Sequence, residues 1–140
     1  MTRISLEQVI DAIEMATQEV TYYYDVQTGE TVYLANLPFF DESGDELAER
    51  IETSPERYFR FPAKYDINEH HIMRAFIKEL PEGRPRYELA DAIRGKGAFK
   101  RFKSGIRYHR LEQAWYRYQA DAYREIAIHW CEDNGFAYED

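Results

Sequence analysis

V-T-Y-Y-Y-D-V, from Val20 to Val26, is followed by Q-T-G-E and then T-V-Y-L-A, from Thr31 to Ala35. Two runs rich in β-branched and aromatic residues flank a turn in which Gly29 is free to take positive φ, which is the pattern of a β-hairpin. Tyr22, Tyr24 and Val26 fall on one face of the first strand, and Val32 and Leu34 share a face of the second. A lone hairpin is marginal in water, so it must lie against helices. These sixteen residues make the fold α+β, because most of what surrounds them reads as helix.

Upstream, Ser5 and Gln8 have capping-box spacing, and Ile4 and Val9 stand where a hydrophobic staple would. Leu6, Val9, Ile10 and Ile13 recur at helical spacing, with Glu7, Asp11 and Glu14 on the opposite, solvated face. This is the helix expected beneath the hairpin.

Downstream, Asn36–Gly44 reads as a loop. Its acidic run lacks the alternating ligands and closing Glu of an EF-hand, so calcium is not expected. A short helix is expected over Asp45–Thr53, and Ser54-Pro55 reads as a further helix start. Tyr58–Pro62 is extended, since Phe61 precedes a proline, and offers a third strand beside the hairpin. A capping box at Asp66–Glu69 opens a helix with Ile72, Met73, Phe76, Ile77 and Leu80 on one face, ended by Pro81 and Gly83. Pro85 opens another that stops at Gly95. The longest helix is expected over Leu111–Glu132, with Trp115, Tyr118, Ala122, Ile126 and Trp130 on one stripe and Tyr116, Ala120, Tyr123 and Ala127 on its neighbour. The last residues, from Tyr138 to Asp140, read as frayed. The expectation is thus one domain, residues 1–140, mainly helical: five to six helices with a long C-terminal one, and a small antiparallel hairpin or three-stranded sheet.

Arg94–Arg110 departs furthest from the rest. It holds seven Lys/Arg and no Asp or Glu, in a chain of formal charge −8, so everything outside it sums to −15. Gly97 reads as a helix cap. Phe99, Phe102 and Ile106 form an expected core stripe, while Lys96, Lys100, Lys103 and Arg107 form a cationic stripe on another face. Gly105 weakens this helix and marks either its end or a close backbone contact. Gly95-Lys96-Gly97 with Arg101 has the makings of a small anion nest, against which stands a plain tight turn needing positive φ.

This segment is similar to one in a family of small bacterial proteins that carries no assigned activity. The resemblance rests on Gly95, Gly97, Ala98, Phe99, Lys100, Arg101, Phe102 and Lys103, then Trp115-Tyr116, then Trp130 and Glu132. The hairpin residues Tyr24-Asp25 and Thr28-Gly29-Glu30 are similar too. Ser104 departs from the pattern, where an Asp is usual. The resemblance implies one domain of helices plus a hairpin and brings no site residues with a known role.

One cysteine, Cys131, excludes an internal disulfide and fits a reducing compartment. The first twenty residues lack an apolar core of signal-peptide type, and no run reaches membrane-spanning length, so a cytoplasmic protein is expected. His70 and His71 point about 100° apart on a helix, and His129 and Cys131 diverge as well, so neither pair makes a metal site. Cys131 near a helix C-terminus has its thiol raised, the wrong direction for a nucleophile. No catalytic motif and no cofactor site is expected. The functional expectation is a binding or regulatory domain in which Lys96, Gly97, Lys100, Arg101, Lys103 and Arg107 dock an acidic protein partner. RNA or DNA binding at the same face is the alternative, disfavoured because periodicity turns both Phe inward. An enzyme with an undisplayed site stands third. The aromatic share of 16% fits either a homodimer or a ring-rich core boundary.

Overall fold

The computed structural model describes residues 2–35 and 42–140, with the side chains of 42–45 left aside. In chain order come β1 (Arg3–Ser5), α1 (Leu6–Met15), β2 (Val20–Asp25), β3 (Glu30–Ala35), α2 (Glu42–Thr53), β4 (Tyr58–Arg60), α3 (Lys64–Ile67), α4 (Glu69–Glu79), α5 (Arg84–Ala92), α6 (Ala98–Tyr108), α7 (Glu112–Asp133) and β5 (Ala137–Glu139). The α+β class holds. Among the described residues there are six helices of nine residues or more, the single turn α3, and a three-stranded antiparallel sheet in the order β3-β2-β4. A two-stranded parallel pair, β1 with β5, was not expected.

The chain forms two compact units, residues 1–67 with 123–140, and residues 68–122. Helix α7 begins in the second and ends in the first.

The first unit contains both sheets. The hairpin register runs from Val20 opposite Ala35 to Asp25 opposite Glu30. β4 adds to the other edge of β2, with Tyr24 opposite Phe59, as the extended stretch before Pro62 foretold. Its core is a cluster of rings. Phe61 lies 4.8 Å from Trp130 and Phe136 lies 4.8 Å from Phe59, centroid to centroid, with Tyr24 edge-on to Phe136 at 5.8 Å. The Trp130 indole N–H donates to the Arg60 carbonyl at 2.8 Å, which satisfies the one polar atom of that ring.

Four local expectations for this unit are corrected. Ser5 is the N-cap of α1, but its side chain makes no cap bond. Gln8 instead reaches the hairpin, donating to the Gly29 carbonyl at 3.2 Å and the Thr31 hydroxyl at 2.9 Å. A tertiary acceptor has outcompeted the local one, and the bond ties α1 to the turn. Ser54–Arg57 is a turn and not a helix start: Arg57 N–H closes onto the Ser54 carbonyl at 3.0 Å, because β4 begins at the next residue. Helix α2 is already helical from Glu42, so the expected loop is shorter at that end; its remainder, Asn36–Asp41, lies outside the described residues. The C-terminus is not frayed. Ala137–Glu139 pairs with β1, the Ala137 N–H bonds to the Thr2 carbonyl at 2.8 Å, and Asp140 meets Arg124. A three-residue strand carries too few alternations to be read from sequence.

The second unit is all helical. Phe76, Phe102 and Trp115 form its ring cluster, Phe102 and Trp115 lying 4.7 Å apart in an edge-to-face arrangement with no exposed surface on either. Asn68, in the left-handed region at φ 52°, caps α4 and accepts from the His71 N–H. The expected box at Asp66 is therefore displaced by two residues, because Lys64–Ile67 forms its own turn, α3.

Candidate functional site in the helical unit

The Arg94–Arg110 segment forms the turn that follows α5, then α6 and the two residues after it. Gly95 and Gly97 both take left-handed φ, 71° and 77°. Most residues resist that region, so the two glycines let the chain reverse between α5 and α6 within a few residues. The turn is then clamped from below. Arg101 donates its guanidinium to the carbonyls of Ala92, Arg94 and Lys96, and His70 Nε2 bonds to the Ile93 carbonyl at 3.0 Å. The last carbonyls of a helix have no intrahelical donor and carry the negative end of its dipole. Arg101 supplies a donor for Ala92, the last residue of α5, and His70 one for its C-cap Ile93, while the Arg94 and Lys96 carbonyls that Arg101 also binds belong to the turn.

Arg101 is thus committed to the fold. Sequence reading grouped it with an anion site because it followed Gly-Lys-Gly; its acceptors here are backbone carbonyls at the end of α5 and in the turn, which leave no mark in the sequence. Gly97 acts as the N-cap expected of it, and a Cβ there would stand 2.9 Å from the Arg101 guanidinium. Gly105 marks a close approach: a Cβ would lie 2.7 Å from Leu89 Cδ2, so the missing side chain lets α5 and α6 pack face to face.

The other candidates face water. Lys96, Lys100 and Arg107 are exposed, and Lys103 is half-buried. None of the four forms an ion pair with an acidic side chain among the described residues. Phe99 is not in the core, as its spacing had implied, but 50% exposed; Tyr116, placed by spacing on an apolar stripe, is 54% exposed. Phe99 is in the first turn of α6, at the edge of the apolar arc, where Phe102 and Ile106 already fill the interior. The Lys103 ammonium lies over both exposed rings, 5.1 Å from the centre of Tyr116 and 5.7 Å from that of Phe99. The result is a surface of two rings bridged by one cation, with three more cations alongside.

Charge is also divided between the units. Residues 68–122 carry twelve Lys/Arg against seven Asp/Glu, formal charge +5; the other unit carries six against nineteen, formal charge −13.

A groove of about 440 Å³ on the same unit is lined by Arg84, Glu88, Ser104, Tyr108 and His109 over Leu89 and Gly105. Both Glu88 oxygens are engaged, one by Arg84 at 2.5 Å and one by His109 Nε2 at 2.8 Å. Arg84, and then His109, hold the Glu88 carboxyl below the usual carboxylate range. The carboxylate is thus held between a guanidinium and an imidazole. In the first unit, burial and then the neighbouring Glu132 charge push the Cys131 thiol up to about 11, so it is protonated at neutral pH. Among the described residues no three His, Cys, Asp or Glu are gathered to hold a metal ion, and no helix is long and apolar enough to cross a membrane.

The profile of the family described as "Uncharacterised protein family (UPF0158)" matches residues 2–139. The chain belongs to that family. It is also similar to the UPF0158 protein PA5073 of Pseudomonas aeruginosa, 30% identical over 124 residues, which covers 88% of this chain and 78% of that protein. No solved structure matches. The family match spans both units and includes the clamped turn and α6.

Proposed function

We propose that this UPF0158 chain is a binding domain that docks an acidic protein surface on the exposed face of α6, with Lys96, Lys100, Lys103 and Arg107 supplying charge and Phe99 and Tyr116 the apolar contact. The observation that carries this reading is a local conflict. Lys100 stands in the first turn of α6, and that turn contains no acidic residue. A cation there opposes the helix dipole. Lys103 follows at i+3 and Arg107 at i+7, so like charges stack along one face. No described carboxylate offsets them. Charges that cost the fold and are not compensated within it mark a surface shaped for something else. Rings beside cations also match the make-up of protein interface anchors.

The exposed rings favour a second reading. Phe99 and Tyr116 are free to stack on bases, so single-stranded RNA or DNA would find both phosphate partners and stacking platforms here.

The test is fluorescence anisotropy with a labelled poly-glutamate peptide and with labelled single- and double-stranded nucleic acid, at low and moderate salt. The comparison protein carries Lys96→Glu, Lys100→Glu, Lys103→Glu and Arg107→Glu, its fold checked by circular dichroism. Peptide binding that the charge reversal abolishes is the expected result. Tighter binding of single-stranded nucleic acid than of peptide would replace it with the second reading, and binding of neither would remove both.

A further inference from the structure

Helix α1 carries the counterpart of the α6 face. Glu7, Asp11 and Glu14 are exposed on one side of it, and none forms an ion pair among the described residues. Their spacing is i, i+4, i+7. Lys100, Lys103 and Arg107 are spaced i, i+3, i+7, which is the same spacing read backwards. Each stripe spans about 10.5 Å along its helix. Set antiparallel, the two bring Lys100 level with Glu14, Lys103 with Asp11, and Arg107 with Glu7. The same register brings Phe99 level with Met15, which is 46% exposed, so the exposed apolar side chains fall at one end of the contact.

Each helix also carries one end charge that opposes its own dipole. Lys100 is in the first turn of α6, and Glu14 is in the last turn of α1, which contains no basic residue. Antiparallel pairing sets each of these charges beside the opposite one, at the helix end where it is favourable.

We infer that the acidic partner of α6 is a second copy of this chain, engaged through the Glu7–Asp11–Glu14 face of α1. The inference rests on the docking role proposed for α6. It also uses the charge division, since an acidic unit of −13 is the complement of a helical unit of +5. Charge-matched stripes of this kind set orientation and association rate more than affinity, so the association is weak and falls with salt.

Light scattering and sedimentation velocity over a concentration series test it on the whole protein. The expected result is an average mass that rises with concentration at low salt and returns to monomer at moderate salt. Lys100→Glu/Lys103→Glu/Arg107→Glu is monomeric, and so is Glu7→Lys/Asp11→Lys/Glu14→Lys. Mixing the two in equal amounts restores association, because one supplies an acidic α1 and the other a basic α6. Should the α1 reversal impair folding, Glu7→Gln/Asp11→Asn/Glu14→Gln is the milder probe, expected to weaken association at least tenfold. A protein that stays monomeric while still binding poly-glutamate overturns the inference and leaves the docking role intact. Self-association that ignores the α1 changes overturns it as well. Loss of both self-association and peptide binding removes the docking role itself.

Discussion

The two units solve the same packing problem and differ in their charges. Each is centred on interlocked aromatic rings: Tyr24, Phe59, Phe61, Trp130 and Phe136 in one, Phe76, Phe102 and Trp115 in the other. Edge-to-face geometry recurs in both, as the ring quadrupole favours. In the acidic unit, the notable buried charge is Asp25, 3% exposed and met by Arg57 through two bonds of 2.9 and 2.8 Å. In the basic unit, a cation is spent on backbone carbonyls, Lys103 lies over two rings, and Lys100 and Arg107 are exposed with no ion pair among the described residues. The acidic unit buries a charge against a paired charge, and the basic unit holds one on backbone carbonyls.

If the cores are equivalent, the costliest substitutions should cost alike. Phe61→Ala and Phe102→Ala, at 1% and 0% exposure, are each expected to lose ~3–5 kcal/mol in urea unfolding. A loss in one unit well below the other would break the parallel between the cores.

The difference in charge use is sharpened by Asp25→Ala, which strands Arg57 and removes the acceptor of the Gln27 N–H. It is expected to cost ~2–4 kcal/mol. Pairing with Arg57 holds the Asp25 carboxyl at about 2, below its ordinary 3.8, against the opposing effect of burial. A depressed carboxylate contributes stability that is whole above its ordinary value and lost as pH falls toward the folded one. Wild-type urea midpoints should therefore drop between pH 4 and pH 2 more steeply than those of Asp25→Asn. Parallel curves would show that the pair contributes nothing.

Gly105→Ala measures how tightly α5 and α6 meet. The added methyl runs into a fully buried Leu89 side chain, an overpacking cost of ~1–3 kcal/mol. Improved helix propensity returns about 1 kcal/mol, so a net loss is expected, seen as a lower melting temperature. A gain would mean that Leu89 moves aside.

The smallest effect has the opposite sign. Lys100→Glu puts a favourable charge in the first turn of α6 and is expected to raise stability by ~0.3–1 kcal/mol while weakening capture of the acidic peptide. Stability and binding moving in opposite directions is the signature of a surface kept for docking. A loss of stability would place Lys100 among the residues that hold the fold.

The hairpin was legible because two runs rich in β-branched and aromatic residues around a Thr-Gly turn are a strong local signal, and the third strand because a residue before proline is confined to extended backbone. Gly97 was legible as a cap because its left-handed backbone favours glycine, while at Gly105 the sequence left a helix end or a close contact open and the packing on Leu89 decided for the contact. Phe99 and Tyr116 were misplaced because spacing gives an angle around a helix axis and not the width of the neighbour that covers it. Arg101 was misplaced because its acceptors are carbonyls, which every residue has and no composition reveals. The Asp25–Arg57 pair spans thirty-two residues and leaves no periodic trace.

By itself the sequence determined the α+β class, the hairpin, the longer helices and the position of the cationic segment, since these follow from local backbone preference and from counting charge. Only the tertiary structure decided which charges are spent inside and which face out. That choice depends on which distant acceptor or carboxylate arrives within about 3 Å, and hydrogen bonds act only at that range.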